Sequence, residues 1–334
     1  MTVINGIEID YIKYNQNVIK SALINNTPIE EKLNVIIVVS NPMLYARRYI
    51  LAKEFIKRYE MEESNINLYI VELIYKDQKY ILTEKSNKNH LQIKTDIPIW
   101  HKENMINLGV KYLLPKEWKA FAWIDADIEF ESTTWASDTL KLLNGSFDII
   151  QLWSHCADLN HNEKCMQNFT SAGYQYIKNN LTYKPANGND FSHPGYAWAI
   201  TRKAYEKIGG LYQHSILGSG DHNMLLCLFG CGINSVNGGV TDGYKKSIKE
   251  YEKNMKTLRF GYVPGVIRHY FHGTKQNRKY CERWQIIVKN NFDPYIHLTR
   301  DDIGILIPSK SCPSQLLDDI LQYFKERNED EFFK

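Results

Sequence analysis

The sequence predicts an α/β protein in which helices cover both faces of a mainly parallel sheet. Residues 33–39 (LNVIIVV) form a continuous, β-branched apolar run, which is typical of a strand buried on both faces. The run ends at the turn signal Ser40-Asn41-Pro42, and residues 44–59 then place apolar side chains at helical spacing. A strand, a turn and a helix in this order are how an α/β nucleotide-binding half begins.

The rest of the chain continues this alternation of elements. Further strands are predicted at residues 67–74, 121–130 and 148–153. Helices are predicted at residues 99–114, 202–208, 222–228, 244–257 and 314–326, the last of them amphipathic. Residues 154–192 contain clusters of Asn and Gly and are predicted to form loops. No Pro/Ser-rich linker interrupts the chain, which favours one domain.

Composition excludes several classes of protein. With 334 residues the chain can bury a sizeable core without disulfide or metal staples. Its 41 basic and 38 acidic residues are nearly balanced, so no nucleic acid partner is expected. No apolar run approaches the length of about 18 residues that predicts a membrane span, and the polar N-terminus lacks the apolar block of a secretory signal.

The cysteines and the residue bias bear on where the protein works. Six cysteines at spacings unlike those of zinc sites predict reduced, structural thiols, so we expect a cytoplasmic protein. The excess of Asn, Lys and Ile is typical of an AT-rich genome, as in a large DNA virus or a low-GC microbe. For a viral protein the expected location is the host cytoplasm or the virion.

Two aspartates follow the apolar residues Trp123 and Ile124, with Ala126 between them. Carboxylates at the end of a buried strand are costly unless a positive group meets them. On a strand, Asp125 and Asp127 would share a face and could hold one divalent cation together with substrate phosphates. Ligands also bind at strand ends in open α/β sheets. The alternative is that both aspartates lie in a solvated turn.

Three later segments favour the cation site. His269 and His272 could complete a set of metal ligands, although either could instead belong to an aromatic cluster. Asp221 lies in a Gly-rich loop before a helix, where it could act as a general base or as the helix cap. Residues 193–200 (HPGYAWAI) carry aromatic faces that could stack on a sugar or fill a core.

In this order the motifs resemble those of the GT-A nucleotide-sugar glycosyltransferases, in particular the beta-1,4-galactosyltransferase-like superfamily. The similarity extends from about residue 33 to residue 283. The matching segments are Ser40-Asn41-Pro42 with Arg47 and Arg48, residues 100–109 (WHKENMINLG), Asp125-Ala126-Asp127, residues 195–203 (GYAWAITRK), Gly220-Asp221 and residues 266–269 (VIRH).

The resemblance implies the GT-A fold, a Rossmann-like α/β/α sandwich with a mixed, mainly parallel central sheet. It further implies a single domain over residues 1–334. Residues 33–130 would form the nucleotide-sugar-binding half and residues 131–300 the acceptor-binding and catalytic half. Residues 301–334 would add a C-terminal helix and tail.

The resemblance also implies a metal-dependent transfer of a hexosyl or N-acetylhexosaminyl group. The donor would be a nucleoside diphosphate sugar, a UDP-sugar by this resemblance, and the acceptor a hydroxyl of a glycan, glycolipid or glycoprotein. Asp221 would be the base of an inverting displacement. The metal, Mn²⁺ or Mg²⁺, would be held by Asp125, Asp127, His269 and His272. Donor contacts would come from Ser40, Asn41, Pro42, Arg47, Glu72, Lys102, Asn104, Asp125, Trp198 and Lys275.

This sequence departs from the family pattern at two positions. Val266 stands where the family has a methionine that binds the metal, so His272 or a water would supply the missing ligand. Gly220 replaces an acidic residue, which changes the expected contacts to the sugar or the acceptor. Arg278 and Arg283, with Lys275, could reach donor phosphates from a mobile lid or form a solvated basic face.

Two other functions remain open at this stage. A sugar nucleotidyltransferase usually carries a Gly-rich loop after its first strand, whereas residues 40–48 (SNPMLYARR) contain no Gly. A catalytically inactive sugar- or nucleotide-binding module could have the same fold. The presence of Asp125, Asp127 and Asp221 argues against such a module.

Overall fold

A seven-stranded sheet and a five-stranded sheet organise the chain, and two further sheets have two short strands each. The computed structural model describes residues 2–4, 7–9, 16–62, 65–185 and 192–332. Its strands are β1 (Thr2–Ile4), β2 (Ile7–Ile9), β3 (Leu33–Ser40), β4 (Ile66–Tyr75), β5 (His90–Thr95), β6 (Ala120–Ile124), β7 (Ile128–Phe130), β8 (Ile149–Gln151), β9 (His155–Leu159), β10 (Cys165–Ser171), β11 (Ser192–His193), β12 (Ala197–Thr201), β13 (Phe260–Tyr262), β14 (Val266–His269), β15 (Leu298–Arg300) and β16 (Leu306–Pro308).

The α-helices connect and cover these strands. They are α1 (Gln16–Asn25), α2 (Ala46–Glu62), α3 (Lys102–Tyr112), α4 (Trp135–Leu143), α5 (Ala172–Lys178), α6 (Arg202–Ile208), α7 (Gly220–Leu228), α8 (Asp242–Met255), α9 (Trp284–Lys289), α10 (Pro294–His297) and α11 (Ser314–Glu326). Within the described ranges, no helix is both long and apolar enough to cross a membrane.

The seven-stranded sheet confirms the predicted class, a mixed and mainly parallel α/β sheet. Its strand order is β13-β8-β12-β6-β3-β4-β5. The strands β6, β3, β4 and β5 are parallel to one another, and β13 is parallel to β8. Only β12 within this sheet is antiparallel, and it pairs with β6 on one side and β8 on the other.

Apolar side chains from the central strands enter cores on both faces of this sheet, as the sequence run predicts. On β3, Ile36 packs into one core, and Val35 and Ile37 pack into the other. Helix α3 adds Met105 to the first core, and α2 adds Phe55 to the second. The sheet therefore lies between two helical layers, which leaves its strand ends as the place for a site.

The predicted strand at residues 121–130 is wrong, because the chain changes sheets within it. Strand β6 ends at Ile124 in the seven-stranded sheet, and β7 pairs with β14 in the five-stranded sheet. The amide of Asp125 donates to the carbonyl of Tyr196 (2.8 Å), and the carbonyl of Asp127 accepts from the amide of Tyr270 (2.8 Å). These contacts with distant segments hold a turn, so the two aspartates do not share a strand face.

The predicted loop at residues 154–192 is also wrong for most of its described length. It contains β9, β10 and α5, and Ser171 caps that helix by accepting a hydrogen bond from the amide of Tyr174. Strand β9 lies parallel to β14, which is more than 100 residues away in the sequence. A local polar composition cannot show such a partner, because pairing with a remote strand stabilises the segment.

The residues after α11 fold back onto the start of α2 instead of forming a free tail. Arg327 and Glu329 are buried, and Glu329 forms a salt bridge with Arg48. The carboxylate of Asp330 accepts hydrogen bonds from the first two amides of α2 (2.8 and 2.9 Å). We call residues 327–332 the C-terminal segment.

Candidate active site

A cleft opens where strands from both sheets end. It is lined by Ser40 at the end of β3, by Asp125 and Asp127 after β6, by His269 at the end of β14 and by Asp221 in the first turn of α7. Parallel strands β3 and β6 point their carboxyl ends at this cleft, which is where ligands bind in open α/β sheets. The lining also includes residues of the C-terminal segment, so all three predicted parts of the chain contribute.

Asp127, His269 and His272 form a group that could hold a metal ion. One donor atom from each lies within 4.8 Å of the others. The Oδ2 atom of Asp127 is 2.8 Å from Nε2 of His272 and 3.9 Å from Nε2 of His269. Its Oδ1 atom is buried and has no hydrogen-bond partner among the described residues. A buried oxygen without a partner beside two imidazoles fits a divalent first-row cation such as Mn²⁺.

A buried acid lies behind each of the two histidines. The Nδ1 atom of His269 is 2.6 Å from Oδ1 of Asp158, and Nδ1 of His272 is 3.7 Å from Oε2 of Glu329. Both imidazoles therefore turn Nε2 towards Asp127. Carboxylates that bind the outer nitrogen of a ligating histidine fix its ring orientation and raise its basicity. Only the His269 distance is that of a hydrogen bond, because 3.7 Å is too long for one between His272 and Glu329. The Nε2 atom of His272 also lies 2.8 Å from Nη2 of Arg278, so that guanidinium and a metal would compete for the same nitrogen.

The acids of this group are held in their charged forms. Burial alone would raise the pKa of Asp127, but the neighbouring His272 and His269 outweigh it and hold that pKa well below its ordinary range. Burial would also raise the pKa of Asp158, but His269 and Lys275 outweigh it and lower that pKa to about 2. At Glu329 the charges of Arg48 and Arg327 likewise outweigh the rise that burial would cause, so the pKa of Glu329 is lowered.

Five basic side chains line the same cleft. They are Arg48, Lys102, Arg278, Arg283 and Arg327. Burial opposes the charged form of Lys102, but the carboxylates of Asp125 and Asp221 outweigh it and raise its pKa. Lys102 forms a salt bridge with Asp125. Several guanidinium groups in one cleft suit an anion with many oxygens, because their planar forks bind phosphates in a bidentate manner.

Asp221 is the second residue of α7 and has a carboxylate that is available to a ligand. The helix cap is Ser219, so the interpretation of Asp221 as the cap is wrong. The Oδ1 atom of Asp221 accepts a hydrogen bond from the amide of His222 (2.9 Å). Among the described residues, no basic side chain forms a salt bridge with the Asp221 carboxylate. A Cβ atom built on Gly195 would lie 2.9 Å from its Oδ2 atom. The glycine at 195 thus leaves room beside the carboxylate.

Two lining residues have strained backbones. Tyr196 has a φ of 79° and Ser219 a φ of 76°, a region that non-glycine residues rarely adopt. The Tyr196 carbonyl binds the Asp125 amide, and the Ser219 hydroxyl accepts from Arg283. Strain of about 1–3 kcal/mol per residue is typically stored at functional sites.

All five predicted catalytic and metal-binding residues meet in this cleft, together with two of the predicted donor contacts, Ser40 and Lys102. Those that line it are Ser40, Lys102, Asp125, Asp127, Asp221, His269 and His272. Asp125 lies outside the potential metal group, because its carboxylate is paired with Lys102.

Three of the predicted donor-binding residues lie elsewhere and hold the scaffold. The Glu72 carboxylate is buried and accepts hydrogen bonds from the amides of residues 81–83. The Asn104 side chain bonds Gln213, the Gly304 carbonyl and the Leu306 amide. Trp198 is a core residue that stacks on Trp123.

The remaining four predicted residues shape the surroundings of the cleft. The Asn41 side chain bonds the backbone of Tyr45, and the Pro42 carbonyl accepts from Gln78. The Arg47 side chain donates to the carbonyl of Phe271 (2.9 Å). Lys275 forms a salt bridge with Asp158 (2.5 Å), behind His269.

Sequence reasoning missed several residues of the site. Asp158 lies in the segment predicted as a loop, and Arg327 and Glu329 lie in the predicted tail. Glu103 stands beside the predicted Lys102, and it also lines the cleft. Asp158, Arg327 and Glu329 belong to no short motif, whereas Glu103 lies within the matched segment of residues 100–109. The available signal for Glu103 was a carboxyl group within the apolar pattern of a helix, next to a lysine.

No protein-family model matches the chain, and no curated protein matches it. Solved glycosyltransferases are among the structures that it resembles, as the sequence motifs indicate. A mannosyltransferase from Pyrobaculum calidifontis, in complex with GDP-Man and Mn²⁺, shares 11% identity at a TM-score of 0.43, over 94% of this chain and 76% of that one. The catalytic domain of Drosophila beta-1,4-galactosyltransferase 7, in complex with xylobiose, shares 10% identity at a TM-score of 0.35, over 84% and 93%. Mannosyl-3-phosphoglycerate synthase from Rubrobacter xylanophilus shares 9% sequence identity at a TM-score of 0.36, over 89% of this chain and 88% of that one. Because these identities and TM-scores are low, the chemistry of the cleft rests on the residues of this chain.

Proposed function

We propose that the chain is a metal-dependent, inverting glycosyltransferase. It transfers a hexosyl or N-acetylhexosaminyl group from a UDP-sugar to a hydroxyl of a glycan, glycolipid or glycoprotein. The observation that supports this most is one cleft that combines the group of Asp127, His269 and His272 with five basic side chains and the available carboxylate of Asp221. A diphosphate needs the first two features, and an attacking hydroxyl needs the third.

The residues of the metal group fit Mn²⁺ better than Mg²⁺. Mg²⁺ prefers oxygen ligands alone. Mn²⁺ also favours carboxylates, but as a first-row transition metal it belongs to the series of ions that sites of mixed nitrogen and oxygen ligands bind. Asp127, His269 and His272 would hold the ion. Bound there, it would supply positive charge to the diphosphate and make the nucleotide a better leaving group.

The basic side chains of the cleft bind the diphosphate in this proposal. Arg48, Arg278, Arg283 and Arg327 donate hydrogen bonds to phosphate oxygens from several sides. Asp125 accepts a hydrogen bond from a ribose hydroxyl, and its charge is balanced by Lys102.

Asp221 acts as the general base. Its Oδ2 atom accepts the proton of the acceptor hydroxyl as that oxygen forms a bond to the anomeric carbon. The bond from this carbon to the diphosphate breaks on the opposite side, so the nucleoside diphosphate leaves and the configuration inverts. A positioned base of this kind typically contributes about 10²–10⁴-fold in rate.

The test is the release of nucleoside diphosphate from UDP-, GDP- and dTDP-sugars, with Mn²⁺ or with EDTA. We expect release from one donor, lost with EDTA and in Asp127→Asn. The matched control is Asp242→Asn, an exposed aspartate at the start of α8, which should retain release. Nucleotide and Mn²⁺ binding without release from any donor would instead support a binding module. Formation of a sugar nucleotide from a nucleoside triphosphate would support a nucleotidyltransferase.

A further inference from the structure

Glu103 is a buried carboxyl group in the wall of the cleft, and it depends on a glycine opposite. Its side chain, in the first turn of α3, is 4% exposed and lines the cleft. A Cβ atom built on Gly220 would lie 2.2 Å from its Oε1 atom and 2.3 Å from its Cδ atom. Any side chain at position 220 would therefore displace this carboxyl group. Glycine at 220 leaves the space that Glu103 occupies.

The surroundings of Glu103 do not neutralise it. Among the described residues no lysine or arginine forms a salt bridge with it, and the ammonium group of Lys102 is paired with Asp125. Burial raises the pKa of Glu103 to about 7, with Lys102 opposing and Asp221 adding to the shift. The carboxyl group does have a hydrogen bond with its own backbone amide. A buried carboxyl group without a salt-bridge partner costs stability, so a purely structural role would be better served by an apolar side chain or by Gln. Such groups occur where a ligand supplies the partner.

We propose that Glu103 determines the specificity of the enzyme for its donor sugar. Its carboxyl group accepts a hydrogen bond from a hydroxyl of the donor sugar, which lies between Glu103 and Asp221. This inference rests on the proposed function. The donor is assigned rather than the acceptor because Glu103 is almost fully enclosed, whereas Asp221 is half-buried and open to an acceptor from solvent.

The chemistry of this contact makes it selective. A buried acceptor left without its hydroxyl loses a charge-assisted hydrogen bond, worth a factor of about 10 or more in affinity. A site that is built to bind a hydroxyl therefore rejects sugars that lack it in that position. The nucleoside diphosphate, which has no sugar, makes no such contact.

The test compares sugar nucleotides with nucleoside diphosphates by isothermal titration calorimetry in Mn²⁺. The probes are UDP, UDP-glucose, UDP-galactose, UDP-N-acetylglucosamine, GDP and GDP-mannose. In the wild type one sugar nucleotide should bind more tightly than its nucleoside diphosphate. In Glu103→Gln this advantage should fall about tenfold, while the affinity for UDP or GDP stays the same.

Gly220→Ala tests the same contact without removing a charge. Gly220 is helical and has no left-handed φ, so alanine fits the backbone and only the Glu103 carboxyl group must move. We expect the same loss of the sugar contribution. The matched control is Gly238→Ala, where a Cβ atom would meet nothing within 4 Å.

The outcomes separate the two proposals. Unchanged sugar discrimination in both variants, or an equal loss for UDP and its sugar nucleotides, would overturn the role of Glu103 and leave the proposed function in place. A Glu103→Gln protein that fails to fold by circular dichroism would show a structural role and would also overturn it. Wild-type protein that binds neither UDP nor GDP would overturn the proposed function itself, and this inference with it.

Discussion

Two groups of acids in one cleft have opposite electrostatics. In the histidine cluster, each acid meets an imidazole or a basic side chain, and its pKa is lowered; the members are Asp127, Asp158, His269, His272 and Glu329. In the carboxylate pair, Glu103 and Asp221, burial raises the pKa of Glu103, and the nearby charge of Asp221 adds to the rise. The comparison teaches that surroundings decide the chemistry. One group is organised for a cation, and the other is suited to neutral hydroxyls.

The two groups are also built differently. The histidine cluster takes Asp158 from β9, His269 from β14 and Glu329 from the C-terminal segment, so three distant parts of the chain must pack to form it. Each member of the carboxylate pair lies in the first turn of a helix, α3 or α7. The partial positive charge at a helix N-terminus favours nearby negative charge, which partly offsets the repulsion between the two carboxyl groups.

The largest expected effect comes from removing the base of the carboxylate pair. Asp221→Asn should lower turnover by about 10²–10⁴-fold, because no other group takes the proton of the acceptor. The affinity for the nucleoside diphosphate should stay unchanged. Steady-state kinetics and calorimetry of the same preparation check both statements. A loss of nucleotide affinity with little change in turnover would place Asp221 among the binding residues.

Replacing Glu329, the buried acid that the C-terminal segment adds to the histidine cluster, should lower the stability of the protein. Glu329→Gln leaves Arg48 and Arg327 without their carboxylate, so the free energy of unfolding should fall by about 3 kcal/mol. Urea denaturation measures this change. The control Glu326→Gln removes an exposed ion pair with Lys279 and should cost less than about 1 kcal/mol. Equal losses in the two variants would contradict the special role of Glu329.

A smaller effect is expected when the acid behind His269 is replaced. Asp158→Asn removes the carboxylate on Nδ1 of His269, so the affinity for Mn²⁺ should fall about 10–100-fold. Electron paramagnetic resonance of free Mn²⁺ during a titration gives this affinity without any substrate. The control Asp148→Asn removes a carboxylate that is paired with Arg259 and should not change it. An unchanged affinity in Asp158→Asn would show that the outer carboxylate does not support the site.

A further expected effect is a pH dependence of the free energy of unfolding that comes from Glu103. A raised pKa at Glu103 means that folding favours its neutral form, so its contribution to stability is present below the ordinary glutamate pKa of 4.5 and is lost as the pH rises through about 7. Glu103→Gln should therefore unfold like the wild type at pH 4.5. At pH 8 it should be more stable by up to about 3 kcal/mol, from the shift between 4.5 and about 7. Urea denaturation at both values gives the comparison, and a difference that does not change with pH would contradict the raised pKa.

The local pattern of the sequence determined the fold class and the two most visible parts of the site. The apolar run of β3 and the helical spacing of α2 and α3 predict a sheet buried on both faces, because burial periodicity is a local property of the chain. Asp127 near a strand end and His269 in the matched segment of residues 266–269 were likewise visible from residue type and order. Asp221 was recognised, although its alternative role as a cap needed the structure to exclude it.

The tertiary structure alone decided which groups meet those residues. Because the chain changes sheets after Ile124, Asp125 and Asp127 meet different partners. Asp125 forms a salt bridge with Lys102, and Asp127 lies beside the histidines. Asp158 and Glu329 reach the same histidines from a segment predicted as a loop and from a predicted tail. A buried charge is stabilised by whichever groups packing brings within a few ångströms. Lys102 lies 23 residues from Asp125 in the sequence, and the acids that reach the histidines lie more than 50 residues from them. No local pattern carries that information.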